Sequence, residues 1–286
     1  TQANKVRQEA LAGYPQRKQP FDATFIDGRG NIWYNVVERY RGQSSLFRYP
    51  SSYRVDFPRN RKLDSALGFP VESLQLNGMR PASQFLMFDL FNRAGLLAPR
   101  VAWAHVRYTG INYDNCCNGQ NGYWGLHAVV ERLDDDFLDS QNGAVPERPT
   151  SSEGNLYRGR NDGNLRWEGT NPATYFVDAN GQNGYEKYNN TAANDWSDLI
   201  SLTDAVSNTP DDQYVAHLRA HVDEDNWARY FAMQMLLGNR EGGLYLDTGD
   251  DYFFYIPPPD EPKAPPHPAY GTPQLPDDRR VGRSRL

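Results

Sequence analysis

"WARYFAMQMLLGNREGGLYLDTGDDYFFY", residues 227–255, runs from a strongly apolar segment through a glycine-punctuated loop into an aromatic, strand-like pattern. The loop sets four carboxylates, Glu241, Asp247, Asp250 and Asp251, into eleven positions. Two readings meet here. Carboxylates gathered around glycines suit a metal-dependent phosphoryl-transfer site, and the same residues suit a well-solvated helix-to-strand loop. Just upstream, "DEDNWARYFAMQMLLGN" offers Asp223 or Asp225 as the N-cap of an almost continuously apolar helix. Gly238 and Asn239 make a natural helix stop, because both tolerate left-handed geometry. "DDYFFYI" then predicts a strand.

The N-terminal half carries a different period. "DATFID", the turn "GRGN" and "IWYNVVERYRG" predict a β-hairpin, and "SYRVDF" (52–57) predicts a third antiparallel strand. Val36, Tyr53, Val55 and Phe57 are its expected packed positions. "RPASQFLMFDLFNRAG" (80–95) reads as a helix, with Pro81 in the first turn, Phe85, Leu86, Leu90 and Phe91 at helical spacing and Gly95 at the C-terminal cap. "APRVAWAHVRYTG" and "GYWGLHAVVERLD" predict two more strands, and "GNLYRG" and "NLRWEG" are short strand candidates within a long polar stretch. "WSDLISLTDAVSN" and "DDQYVAHLRAHV" are amphipathic helix patterns. From Pro257 the character changes: the tail holds nine of the chain's twenty prolines and reads as extended or disordered.

Composition bounds the function. A net charge of −6 over 286 residues offers no general cationic field for nucleic acid. No stretch approaches the roughly 20 apolar residues that span a bilayer. The two cysteines, Cys116 and Cys117, are adjacent, which lacks the spacing a zinc site needs. A vicinal disulfide and two free thiols both remain open. The chain begins at Thr1 without Met or a signal-like segment, so it reads as a processed or excised fragment. His105 and His127 alternate with apolar residues and read as structural.

The order of these pieces resembles the CotH family of atypical, spore-coat-type protein kinases. The likeness is carried by "RYRGQSS" followed by "SYRVDF", then "LQLNGMRPASQFLMFDLFNRAGLLAPR", then "NGYWGLHAVVERLDDDFL". "GNLYRG", "DNWARYFAMQMLLGNREGG" and "DDYFFY" complete it. It spans residues 22–255, about four fifths of the chain. The resemblance implies an α+β, kinase-like two-lobed fold, with an antiparallel sheet-rich N-terminal part and a helical C-terminal part. It divides the chain into a flexible segment (1–20), a kinase-like domain (21–256) and a Pro-rich tail (257–286). Within the domain it implies a sheet-rich lobe (21–139), an irregular insertion (140–195) and a helical lobe (196–256).

The implied activity is transfer of the ATP γ-phosphoryl group to protein Ser/Thr hydroxyls with Mg²⁺ or Mn²⁺, by an extracellular or surface-associated protein. Its partners would be a protein substrate or a surface assembly. On this resemblance Glu241 stands where the family has its loop Asp, the catalytic carboxylate, and Asn239 orients that loop or ligates metal. Asp250 and Asp251 are the accessory metal contacts. Arg54 and Arg41 are placed against nucleotide phosphates, as is Arg158, and Glu131 is the carboxylate that positions a basic residue. One departure matters. The family pattern continues into an apolar strand ending W-D-x-D, whose first Asp ligates metal, whereas "YFFYI" here leads into "PPPDEPKAPP". Two explanations compete, an altered or cut C-terminus and a non-catalytic relative. The second makes the chain a pseudokinase-like binding or structural module. A sugar-binding role for the many Tyr and Trp is the weakest reading, for want of a glycosidase-type carboxylate pair.

Overall fold

Apolar–polar alternation over residues 21–26 suits a sheet with one buried face, and β1 (Phe21–Ile26) and β2 (Ile32–Arg41) form a hairpin whose register shift between Ala23 and Phe25 puts Trp33 and Val36 on the same buried face. The computed structural model describes residues 20–42, 52–106, 125–141, 151–179, 183–239, 243–244 and 249–258. Next come β3 (Ser52–Asp56), the two-residue strands β4 (Leu63–Asp64) and β5 (Pro70–Val71), and β6 (Ser73–Asn77). Helix α1 (Pro81–Arg93) leads to β7 (Val101–His105) and β8 (Leu126–Val130). The large sheet has the order β1-β2-β3-β6-β8-β7, antiparallel throughout.

One face of this sheet carries the first core. Trp33, Val36, Tyr53, Val55, Phe57, Leu74, Leu76 and Val129 are buried on it, capped by Leu63 and Val71 of the small hairpin. All four positions expected to pack, Val36, Tyr53, Val55 and Phe57, are among them. Helix α1 lies across the opposite face at the β7–β8 end, where Phe85 stacks on Trp103 at 4.5 Å. Among the described residues no helix lies over the β2–β3 portion of the second face, and α1 reaches β6 through Gln84. Gly95, at φ +69, takes the left-handed position after α1, as its place in the sequence required. Leu86 is instead exposed, since Phe91 buries its side chain and Met87 and Phe88 turn inward with it.

Helix α2 (Asp135–Gln141) follows the large sheet, and a second sheet is built from β9 (Asn155–Arg160), β10 (Gly184–Lys187) and β11 (Tyr252–Ile256), in the order β10-β9-β11. "NLRWEG" is not a strand, in contrast to its reading from the sequence. Leu165 sits at φ +60, and its N–H donates to the Tyr185 hydroxyl at 2.7 Å instead of to a neighbouring strand. Helices α3 (Ser197–Asn208), α4 (Tyr214–His221) and α5 (Glu224–Leu237) complete the chain. The second core joins Tyr157, Leu165, Tyr175 and Tyr185 to Trp196, Leu199 and Leu202 of the α3 region. Asp198, in the first turn of α3, accepts hydrogen bonds from Asn155 Nδ2 and the Tyr157 hydroxyl, both at 2.7 Å, and ties the helix to β9. The architecture is α+β, with antiparallel sheets mostly N-terminal and helices mostly C-terminal.

Helix α5 begins at Asp223, whose side chain accepts from the Asn226 N–H at 2.9 Å. Its apolar residues do not form a single buried stripe. Tyr230, Met233 and Leu237 pack toward α1, while Leu236 is 77% exposed and Gln234 is buried. Gly238, at φ +59, ends the helix. The Gly238 N–H donates to the Met235 carbonyl and the Asn239 N–H to the Gln234 carbonyl, both at 3.1 Å, the paired pattern of a Schellman stop.

Candidate functional site

Side chains alternate across a strand, so Arg39 and Arg41 of β2 share one face. In register, Arg39 lies opposite Arg54 of β3, and Arg54 opposite Gln75 of β6. All of these occupy the face opposite the first core. Three guanidiniums therefore stand side by side on one sheet. A fourth arrives from the second sheet: Arg158 of β9 is close enough to Arg41 for each to feel the other's charge. Burial pulls the Arg41 guanidinium down to about 10, with the charges of Arg158 and Arg54 adding to it, and Arg41 stays cationic at neutral pH. Arg39 is lowered by burial and by its neighbour Arg54. Like charges this close form a site for an anion.

Arg41, Arg54 and Arg158 are each held by neutral or carboxylate oxygens. Arg41 donates to Asn77 Oδ1, and Asn77 in turn donates to Gln84 Oε1 of α1, so the first turn of α1 braces Arg41 through one amide. Arg54 Nε donates to Asp56 Oδ1 at 2.7 Å and to Ser73 Oγ at 3.1 Å. Arg158 donates to Asp251 Oδ1 and to the Tyr188 hydroxyl at 3.3 Å, and lies over the Phe253 ring at 5.6 Å. Burial works against the Arg158 charge, but Tyr188 and Asp251 outweigh it and hold this guanidinium above the ordinary arginine value. Arg158 Nε is a buried donor with no acceptor among the described residues. A cavity of about 50 Å³ opens beside Arg41, lined by Gly42, Ser52, Asn77, Met79 and Gln84. It admits a group the size of a water.

The structure thus brings Arg41, Arg54 and Arg158 together and adds Arg39, which the sequence reading passed over. The signal was present in "RYR", since two arginines at a spacing of two on a strand must share a face. Glu131 is elsewhere engaged. Only 4% exposed, it accepts from the Arg100 backbone N–H at 2.9 Å, from Arg100 Nε at 3.1 Å and Nη2 at 3.0 Å, and from Ser140 Oγ at 3.1 Å. Its basic partner is therefore Arg100. The bracing expected of it falls on Asn77 for Arg41 and on Asp56 for Arg54.

Asn239 follows the helix stop, and its amide nitrogen donates to Gln234 Oε1 at 2.7 Å. Asp250 and Asp251 open β11. The Gly243 N–H donates to the Asp250 carbonyl at 2.8 Å, which closes the loop back on the strand. Burial, and then the charge of Asp251, raise the Asp250 carboxyl above the ordinary aspartate value. Asp251 takes a left-handed φ of +53 and turns its carboxylate to Arg158. Glu241 and Asp247 lie outside the described residues, as do Cys116 and Cys117. His127 is buried, its ring 6.0 Å from Tyr53 and its Nδ1 2.9 Å from the Gly125 carbonyl, in keeping with a structural role.

The arginines fit the oxygens of a polyphosphate. Among the described residues, which leave out Glu241 and Asp247, no three His, Cys, Asp or Glu side chains come together as metal ligands. No described helix is long and apolar enough to cross a membrane.

A search of curated proteins found no match to the chain. The family model described as CotH kinase protein matches residues 39–268, which takes in the end of β2, strands β3 to β11, all five helices and every arginine of the cleft. The chain belongs to the CotH kinase family.

Proposed function

We propose that the arginine cleft is a nucleotide site and that the protein transfers the γ-phosphoryl group of ATP to Ser/Thr hydroxyls of a protein acceptor. The observation that carries this reading is the convergence of Arg39, Arg41 and Arg54 from one sheet with Arg158 from another. Guanidinium groups bind phosphate oxygens through paired N–H donors, and four from two directions can span a chain of phosphates. Phosphoryl transfer asks little covalent chemistry of a protein. It asks for position and for positive charge where oxygens gather charge in the transition state. Arg41 is the best placed to supply both, since its bracing by Asn77 and Gln84 fixes it before any ligand arrives.

In the reaction the acceptor oxygen bonds to the γ-phosphorus, the bond from that phosphorus to the β-phosphate oxygen breaks, and ADP leaves. Glu241 is assigned as acceptor of the hydroxyl proton, with Asn239 as the residue that orients its loop. The assignment of Asp250, Asp251 and Asn239 to Mg²⁺ or Mn²⁺ comes from the sequence. Among the described residues they are not gathered into a three-ligand group. The working unit is residues 21–256, acting outside the cell or at its surface on a protein substrate or an assembly partner.

The departure from the family's W-D-x-D segment favours one competing reading, a pseudokinase-like module that binds nucleotide and transfers nothing. The two separate in one experiment: incubate the protein with γ-labelled ATP, Mn²⁺ or Mg²⁺ and a Ser/Thr-rich protein acceptor. Transfer of label, lost in Arg41→Gln and Glu241→Ala, supports the kinase. ATP binding without transfer supports the module, and absence of binding contradicts both.

A further inference from the structure

Asp251 occupies an unusual place for a residue expected to hold metal. Its carboxylate lies on Arg158, in a cleft where, among the described residues, the guanidiniums of Arg39, Arg41, Arg54 and Arg158 meet the carboxylates of Asp56, Asp251 and, at 4.0 Å from Arg158, Glu186, which pairs more closely with Arg160 at 3.0 Å. Asp56 is committed to Arg54 at 2.7 Å. Asp251 is held less deeply. Its side chain is 53% exposed while that of Arg158 is 20% exposed, and it sits at a chain position where a left-handed φ swings the carboxylate out from the strand. Arg158 is fixed from the other side by Tyr188 and Phe253, so it keeps its place when Asp251 leaves.

We propose that Asp251 is the resident counter-anion of the cleft: its carboxylate takes the place of a phosphate oxygen on Arg158, and polyphosphate binds by displacing it, with arginine charge rather than a divalent cation carrying the contact. This inference rests on the nucleotide site proposed above and departs from it on the role of Asp251. A metal-bound phosphate would need carboxylates gathered toward it. Here, among the described residues, the carboxylate closest to Arg158 is neutralised by that arginine instead of being gathered with others toward a metal. The anion exchanged for Asp251 regains a charge-assisted contact, so displacement costs little.

The test is calorimetric binding of inorganic tripolyphosphate to the full chain, in EDTA and again in Mg²⁺ or Mn²⁺. Asp251→Asn is the informative variant, because Asn accepts left-handed φ as readily as Asp and cannot compete as an anion. The expected result is binding in EDTA that Asp251→Asn tightens about fivefold and Arg41→Gln weakens at least about tenfold. Melting curves for each variant establish that it is folded. Binding only with metal, weakened by Asp251→Asn, would overturn the inference and leave the nucleotide site standing. Binding in EDTA with unchanged affinity in Asp251→Asn would overturn the displacement. No binding under either condition would remove the nucleotide site as well.

Discussion

Replacing Glu131 by Gln separates a scaffold role from a site role, and the structure sets the size of the effect. The carboxylate accepts three hydrogen bonds from Arg100 and one from Ser140, and it is 4% exposed, while the Arg100 side chain is 34% exposed. Two unit charges at this separation attract by about 4 kcal/mol at an effective dielectric near 20, and desolvation of the carboxylate offsets much of that. Breaking a buried pair costs about 3–5 kcal/mol, because the partner is left without its counter-charge. Arg100 can turn partly toward water, which places Glu131→Gln near the lower bound, about 3 kcal/mol. For a chain of this size that lowers the melting temperature by roughly 6–12 °C. The double replacement Arg100→Leu with Glu131→Leu should recover at least about half of the loss, since no unpaired charge remains. Below its melting transition the Gln variant should bind tripolyphosphate within about twofold of the parent protein. A melting temperature within about 2 °C of the parent, together with lost phosphate binding, would refute the argument and return Glu131 to the site.

Gly249 is at φ +59, and a Cβ there would lie 2.4 Å from the Gly163 carbonyl carbon and 2.7 Å from the Asn164 nitrogen. Both are backbone atoms that cannot step aside, so Gly249→Ala should cost about 1–3 kcal/mol by denaturant unfolding; a neutral result would show that the loop before β11 is placed differently. Asp250 has a raised carboxyl pKa, through burial first and Asp251 second. Its contribution to stability is therefore full below the ordinary aspartate value and lost as pH rises through the folded value. Asp250→Asn should then raise the melting temperature at pH 7 by more than at pH 4. An equal difference at the two pH values contradicts the assignment.

Strand and helix boundaries were legible where period and punctuation agreed. The alternation of "IWYNVVERYR" and "SYRVD" gave both strands and their buried face, and Pro81 and Gly95 bracketed α1 correctly. Three things needed the third dimension. The partner of Glu131 was hidden because Arg100 lies 31 positions away and becomes its neighbour only through the β7–β8 register. Apolar content in α5 did not reveal which residues turn outward, because Tyr230, Met233 and Leu237 settle that by packing on α1. "NLRWEG" failed as a strand because the Leu165 N–H bonds to the Tyr185 hydroxyl and not to a neighbouring strand, which composition cannot show. In the cleft, the arginines at 41, 54 and 158 were named from the resemblance. Their convergence depended on how the second sheet meets the first.

The most direct measurement of the central claim is an experimental structure of the protein with a non-hydrolysable ATP analogue. The account predicts phosphate oxygens within hydrogen-bond distance of Arg41, Arg54 and Arg158, across the face of β2 and β3 opposite the first core, with Asp251 turned away from Arg158. An analogue bound on the opposite face of the sheet, or one bound with Arg158 still paired to Asp251 and no guanidinium on its phosphates, would contradict it.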